Sequence, residues 1–203
     1  MTSSSPPFAD RERGELAELL AKLGPDAPTC CAGWTTAHLA AHLVVRDRRP
    51  DALAGYAVEG AGKGGPLVAW THRAEDHLRT ATPYAKVVER VRSGPPLWLP
   101  MAWPPVAQAL NVSEFAIHHE DVRRAQPDWA PRTLSRQDQD TIWSSFGLYA
   151  RRAAGRRGVV LRRSDADGEE RRVGAAGRTV EGEPLELLLW SAGRRDVARV
   201  TVT

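Results

Sequence analysis

The chain has little cysteine, little lysine and no long apolar run. Its two cysteines, Cys30 and Cys31, are neighbours, and there is no CxxC pair. Adjacent cysteines rarely bridge each other because the ring is strained. A disulfide framework and a cysteine-built zinc site are thereby set aside, which leaves two reduced thiols in a reducing compartment. Lysine occurs only at Lys22, Lys63 and Lys86, so arginine carries nearly all of the 28 basic charges. That bias points to GC-rich coding, not to a function. No apolar stretch approaches the roughly 20 residues that span a bilayer. Met1 to Pro7 lack the apolar core of a secretory signal. A cytoplasmic protein with no membrane partner is expected.

What is present is ordinary for a globular protein. The 203 residues are 42% hydrophobic and 26% charged, with a net charge of +3, enough for one large domain or a medium one plus a small one. Residues 1–149 hold 16 basic and 17 acidic side chains, residues 150–203 hold 12 and 8. The later arginine pairs, such as Arg162-Arg163 and Arg171-Arg172, are interleaved with acids. This is a solvated surface, not the concentrated basic face of a nucleic-acid binder.

The chain shows no internal repeat. Leu16, Leu19, Leu20 and Leu23 recur at helical spacing over Asp10–Leu23, and Gly24-Pro25 stops that helix. A second helix runs from Ala37 to about Arg48, capped by Thr35 or Thr36 and ended by Pro50. Residues 55–66 are glycine-rich and read as a mobile loop. Helical pattern resumes over Leu67–Arg79 and again over Pro83–Arg92. After a proline-rich loop comes a helix over Val106–Ala125. Ser135 caps a long helix to about Ala153. Beyond Gly155 the grammar changes. Val159–Leu161 and Arg171–Val173 flank a turn at Asp165-Ala166-Asp167-Gly168, Pro184–Trp190 is a short helix, and Val197–Val202 alternates as a strand. The expected fold is mainly α, a four-helix bundle (residues 1–154) followed by a small α+β unit (residues 155–203).

The chemistry concentrates on the Val106–Ala125 helix. Glu114 and His118 are four residues apart and share one face. On a wheel at about 100° per residue, Asn111, Glu114, His118 and Asp121 form one stripe. Leu110 and Ile117 border it on one side, Phe115 and Val122 on the other. Walls on both edges argue that the stripe points inward. A buried carboxylate needs a partner, and a divalent metal favours both the ionised carboxylate and the neutral imidazole. On the second helix His42 faces the same interior, bordered by Val45, Leu39 and Leu43. His38, one turn earlier, is open as ligand, supporting group or rim residue. Two histidines and a carboxylate with open positions is a common set for reactive metals. The residues alone leave a metal site and a metal-free, hydrogen-bonded core as alternatives. His72, His77 and His119 read as ordinary, and Asn111-Val112-Ser113 lies in a helix and is no glycosylation site.

The segment from Cys31 to Leu43, CAGWTTAHLAAHL, and the segment Glu114–Val122, EFAIHHEDV, resemble two motifs of one family. They are similar to the start of the second helix and the E-x-x-x-H-x-x-D motif of mycothiol-dependent maleylpyruvate isomerase N-terminal domains, in the DinB-like superfamily. GWTT, AAHLVVRDRRPD, VRSGPP and HHEDVRRAQ resemble more closely an actinobacterial subgroup described only as metal-binding. The carboxy-terminal VEGEPLELLLWSAGR is similar to the small domain that follows the bundle in such proteins. The resemblance covers most of the chain. It implies a four-helix bundle holding one divalent metal, zinc in the isomerase, on His42, Glu114 and His118; nitrogen and oxygen ligands also suit nickel or iron. It also implies mycothiol as cosubstrate and thiol transfer or isomerisation as the reaction.

The first functional reading is a metal-dependent thiol enzyme acting on an electrophilic small molecule, with a metal-activated thiolate. Asp121 would orient His118. Arg46 and Arg49 continue down the His42 side and are open as anion contacts or surface groups, and Trp34 packs the helix start. The second is a non-catalytic metal-binding or regulatory bundle, with His38 as the candidate fourth ligand and Cys30-Cys31 as a candidate redox pair. Monomer and homodimer are both open.

Overall fold

A computed structural model of the chain describes residues 6–99, 102–166, 168–175 and 177–203, with the side chains of 104–109 left aside. Its elements in chain order are α1 (Phe8–Leu23), α2 (Thr36–Arg48), a 3-10 turn (Pro50–Ala52), α3 (Leu53–Gly60), α4 (Pro66–Ala81), α5 (Tyr84–Ser93), α6 (Pro104–Arg123), α7 (Arg136–Ser145), α8 (Gly147–Ala154), β1 (Val159–Arg163), β2 (Glu170–Val173), β3 (Arg178–Gly182), α9 (Pro184–Ser191) and β4 (Thr201–Val202). The fold is mainly α with a small α+β part at the carboxy-terminal end, as expected. No helix among the described residues is long and apolar enough to cross a membrane.

In the bundle, α1 packs on α6 and α5, and α2 packs on α4 and α5. One apolar cluster fills that space. It joins Leu16 and Leu20 of α1, Leu39 and Leu43 of α2, Val87, Val88 and Val91 of α5, and Phe115 and Val122 of α6. A second cluster lies on the far side of α6. Val112, Ala116 and Ile117 meet Ile142, Trp143 and Phe146, then β1, β3 and the apolar face of α9. Leu185, Leu187, Leu188, Leu189 and Trp190 are all buried there. Each large apolar side chain removed from water contributes about 1.5–3 kcal/mol, which is why an eight-residue helix of poor intrinsic stability holds its place.

Three expectations fail, each for a tertiary reason. Residues 55–60, within the expected 55–66 loop, belong to helix α3 (Leu53–Gly60). A Cβ on Gly55 would lie 2.1 Å from Thr71 Oγ1 and 2.6 Å from the Leu67 carbonyl. That glycine marks close packing of α3 on α4, not a mobile segment. The long helix after Ser135 breaks at Phe146-Gly147. Ser135 caps its start as expected, accepting from the Asp138 amide at 3.1 Å. Phe146 is fully buried against Trp143, and glycine at the next position lowers the cost of the break. The terminal strand shrinks to Thr201–Val202, because side chains take the backbone groups before it. Val197 O accepts from Arg124 and the Arg199 amide donates to Glu186.

The sheet order is β2-β1-β3-β4. β1 and β2 form the expected antiparallel hairpin, with Val160 opposite Arg172; Asp167 of its turn lies outside the described residues. β3 was not foreseen. It runs parallel to β1, with Leu161 opposite Val180, and pairs antiparallel with β4. The connection into β3 passes so close under β1 that a Cβ on Gly177 would lie 2.2 Å from the Gly158 carbonyl. Only glycine fits there.

Candidate metal centre

The two apolar clusters leave one stripe of α6 between them. Phe115 and Val122 sink into one cluster, Val112, Ala116 and Ile117 into the other. Asn111, His118 and Asp121 on the stripe are buried and Glu114 is nearly so. Leu110, expected as part of the wall, is half exposed, so the stripe is open at that corner. Its carbonyl instead accepts from Arg46 Nη2 at 3.1 Å.

Helix α2 brings His42 to this stripe. His42 Nε2 lies 3.1 Å from Glu114 Oε1, and His118 Nε2 lies 3.4 Å from the same oxygen. The three donor atoms are within 4.8 Å of one another. Both imidazoles are held from behind. His42 Nδ1 is 2.9 Å from Glu75 Oε1 on α4, and Tyr56 of α3 donates to that oxygen at 2.6 Å. His118 Nδ1 is 2.9 Å from Asp121 Oδ2. Each ring is therefore turned so that its Nε2 faces Glu114. The rings stand 5.2 Å apart, with Trp34 5.2 Å and Tyr56 5.0 Å from His42.

The electrostatics follow from crowding three ionisable groups in a dry space. Burial works against charge on His118, but hydrogen bonds to Asp121, Cys31 and Glu114 hold it well above the usual imidazole range. Burial likewise opposes charge on His42, and Glu114 and Glu75 outweigh it, raising this ring too. Burial would lift Glu114; the Arg46 charge and the two histidines hold it well below the carboxylate range instead. Tyr56 is pushed up by burial and by Glu75, so it remains a neutral donor.

Asp121 is the second anchor. Arg194, from the segment after α9, grips it through Nε at 3.0 Å and Nη2 at 2.8 Å. Cys31 Sγ sits 3.1 Å from Asp121 Oδ2 and 3.3 Å from Arg194 Nη2. The adjacent Cys30 amide donates to the Asp121 carbonyl at 2.9 Å. Both cysteines are free. Cys30 is pushed up to about 11, by burial first and then by Asp121 and Cys31. Since only the thiolate reacts, Cys30 is expected to be alkylated by iodoacetamide at neutral pH about 100-fold more slowly than an ordinary thiol. Peptide mass spectrometry of a time course measures this, and labelling of Cys30 at the ordinary rate contradicts it.

The other residues singled out in the sequence fall as follows. His38 closes the start of α2, its Nδ1 accepting from the Thr35 amide at 3.2 Å. It belongs to none of the candidate donor groups among the described residues. Arg46 is buried and turned inward, 3.4 Å from Glu114 and 2.8 Å from Asn111. Arg49 is exposed and paired with Asp51. His119 points away to Glu12, at 3.0 Å. His72 and His77 are exposed. Glu75, Tyr56, Cys31 and Arg194 were missed as parts of the site. Glu75 had a signal, an acidic residue between Thr71 and Leu78 on the inward face of α4. Arg194 had none, since it is one arginine among many and reaches the site only through the turn after α9.

Fold and cluster together define a helical bundle with a small α+β appendage and a largely shielded group of two imidazoles and one carboxylate. Two solved structures share this fold: the mycothiol-dependent maleylpyruvate isomerase, at 17% identity and a TM-score of 0.54, and a histidine-to-alanine variant of it, at 16% and 0.56. Each alignment covers 97% of this chain and 89% of the other. No family model matches the chain, and no curated protein matches it in sequence.

Proposed function

We propose that the chain is a divalent-metal protein that uses a small-molecule thiol, with His42, Glu114 and His118 as ligands and mycothiol as the cosubstrate. The observation that carries this reading is the pair of Nε2 atoms turned onto one carboxylate oxygen by Glu75 and Asp121. Ligands about 2.0–2.1 Å from a tetrahedral ion stand about 3.3 Å apart. The His42–Glu114 and His118–Glu114 separations of 3.1 and 3.4 Å bracket that value. Carboxylates behind each imidazole are the usual support of such ligands. Nitrogen and oxygen donors suit zinc first, with nickel or iron as alternatives. The fold neighbours are named for mycothiol dependence, which supports the thiol.

When bound, the ion would act as a Lewis acid that lowers the pKa of a thiol brought to it. The chain's own residues do the rest. Glu75 and Asp121 hold the Nδ1 protons and so keep Nε2 free. Tyr56 fixes Glu75, and Arg194 fixes Asp121. Phe115 and Trp34 help exclude water. A cavity of about 150 Å³ between α2 and α4 is lined by Trp34, Ala41 and Glu75 among others, and so reaches the carboxylate behind His42. The same proposal divides the chain into a ligand-bearing bundle (1–154) and a unit (155–203) that contributes Arg194, and places it in the cytoplasm.

Protein purified without added metal is expected to carry about one divalent ion per chain by elemental analysis. It should bind mycothiol in calorimetry, and with the thiol present it should consume an electrophile, maleylpyruvate being the first to try. Metal without thiol binding at millimolar concentration would favour a non-catalytic metal protein. Absence of any bound ion would favour the metal-free core instead, a reading supported by the way His42, Glu114 and His118 also satisfy one another.

A further inference from the structure

A second cavity, of about 400 Å³, opens between α2, α4 and α5. Its floor is apolar, from Val44 and Val45 of α2 and Leu78 of α4, and its walls carry Arg48, Arg90 and His77. No carboxylate lines it. Arg49 at its rim is already tied to Asp51. Arg48 and Arg90 differ from most arginines in this chain, because among the described residues neither makes a salt bridge. Arg48 Nη2 donates only to neutral oxygens, Gly94 O at 2.6 Å, Ser93 Oγ at 2.9 Å and Arg90 O at 3.4 Å. Its Nε is buried with no partner among the described residues.

We infer that this cavity is a binding site, separate from the metal centre, for a small amphiphilic oxyanion: a carboxylate or phosphate head on an apolar body. Two guanidinium groups on the wall of one apolar-floored cavity, neither in a salt bridge among the described residues, are an incomplete arrangement. Burial and then the neighbouring Arg90 charge hold Arg48 below its usual value despite Asp47, and an anion would offset the Arg90 charge. The apolar floor specifies the other half of the ligand. The volume falls in the range of small-molecule sites, roughly 300–1,000 Å³. Helices α2 and α4 also carry His42 and Glu75, yet no residue of the metal centre lines this cavity.

Calorimetry with octanoate, octyl phosphate, octanol and inorganic phosphate tests the inference, on the purified protein and on His42→Ala. Octanoate or octyl phosphate is expected to bind saturably at one per chain, and the better of the two identifies the head group. Octanol and inorganic phosphate should bind at least about tenfold more weakly, the equivalent of one lost charge contact or of the apolar body. Arg90→Glu, at an exposed position, and Arg48→Met should each weaken binding by about tenfold or more. His42→Ala should leave it unchanged. Equal binding of octanol, absence of binding by both amphiphiles, or indifference to both arginine substitutions overturns the site. Loss of binding in His42→Ala overturns it too, because the ligand would then sit at the metal centre.

Discussion

Glu114→Ala is expected to yield protein that purifies essentially free of metal, and that is less stable than the wild-type chain even before metal is considered. Glu114 Oε1 is the meeting point of His42 Nε2, His118 Nε2 and Arg46 Nε. Its loss removes one of three proposed ligands and, among the described residues, the one anion the two Nε2 atoms share. Supporting groups behind a ligand are worth 10–100-fold in affinity, so losing the ligand itself should exceed about 100-fold. Glu75→Gln, which keeps the ligands and weakens only the His42 anchor, should fall within that 10–100-fold range. In the metal-free protein the deletion takes one of two acids from each of His42, His118 and Arg46, which keep Glu75, Asp121 and Asp47, so it costs less than the roughly 3–5 kcal/mol of a buried charge left with none.

The pH dependence of that cost has a definite sign. Glu114 is held below the ordinary 4.5, so its contribution is fully present above 4.5 and fades as acid reaches its folded value. His118 is held above the ordinary 6.5, so its contribution is fully present below 6.5 and fades as pH rises through the raised value. The metal-free difference between wild type and Glu114→Ala is therefore largest between 4.5 and 6.5. Elemental analysis with chelator competition reads the first effect, denaturant titration of chelated protein the second. Full occupancy in Glu114→Ala means the ligands are misassigned.

Glu120→Ala should be the most damaging change remote from the candidate centre. Glu120 is fully buried on the opposite face of α6. Its Oε1 accepts from Arg123 at 2.7 Å and Arg132 at 2.8 Å, its Oε2 from Arg124 at 2.5 Å. Arg132 continues to Glu12 of α1, and Arg124 to Glu186 of α9. Acid and base alternate along a chain of five residues that ties α1, α6 and α9 together. Burial works against the charge on Glu120, but Arg132 and Arg124 outweigh it. Removing it leaves Arg124, almost wholly shielded, with one anion for a site built around two. A loss of about 3–5 kcal/mol follows. At roughly 2–4 °C per kcal/mol for a chain of this size, Tm falls by about 10 °C. Glu15→Ala, at an exposed position touching the same Arg132 from 3.6 Å, is the control and should be nearly silent. A shift below about 2 °C in Glu120→Ala would show the network to be ornamental.

Much of the candidate centre was legible because it is written at helical spacing. Glu114, His118 and Asp121 on one stripe, framed by Phe115 and Ile117, could be placed inward from one element. His42 could be placed in the same way from another. What crossed between elements was not legible. Glu75 and Tyr56 reach His42 from α4 and α3, and Cys31 and Arg194 reach Asp121 from two loops. The glycine-rich stretch misled for a related reason. Gly55 has the composition of a loop and the role of a helix contact, and only the position of Thr71 distinguishes them.

The sequence by itself determined most of the helices, most of their inward faces and the residue types that can meet a cation, because those depend on period and polarity along one strand of chain. The tertiary structure alone decided that both imidazoles turn Nε2 toward a single oxygen, that Cys31 and Arg194 meet at Asp121, and that Arg48 and Arg90, without a salt bridge among the described residues, share one cavity wall. Those outcomes depend on distances between segments up to 163 residues apart, as between Cys31 and Arg194, and no local pattern encodes them.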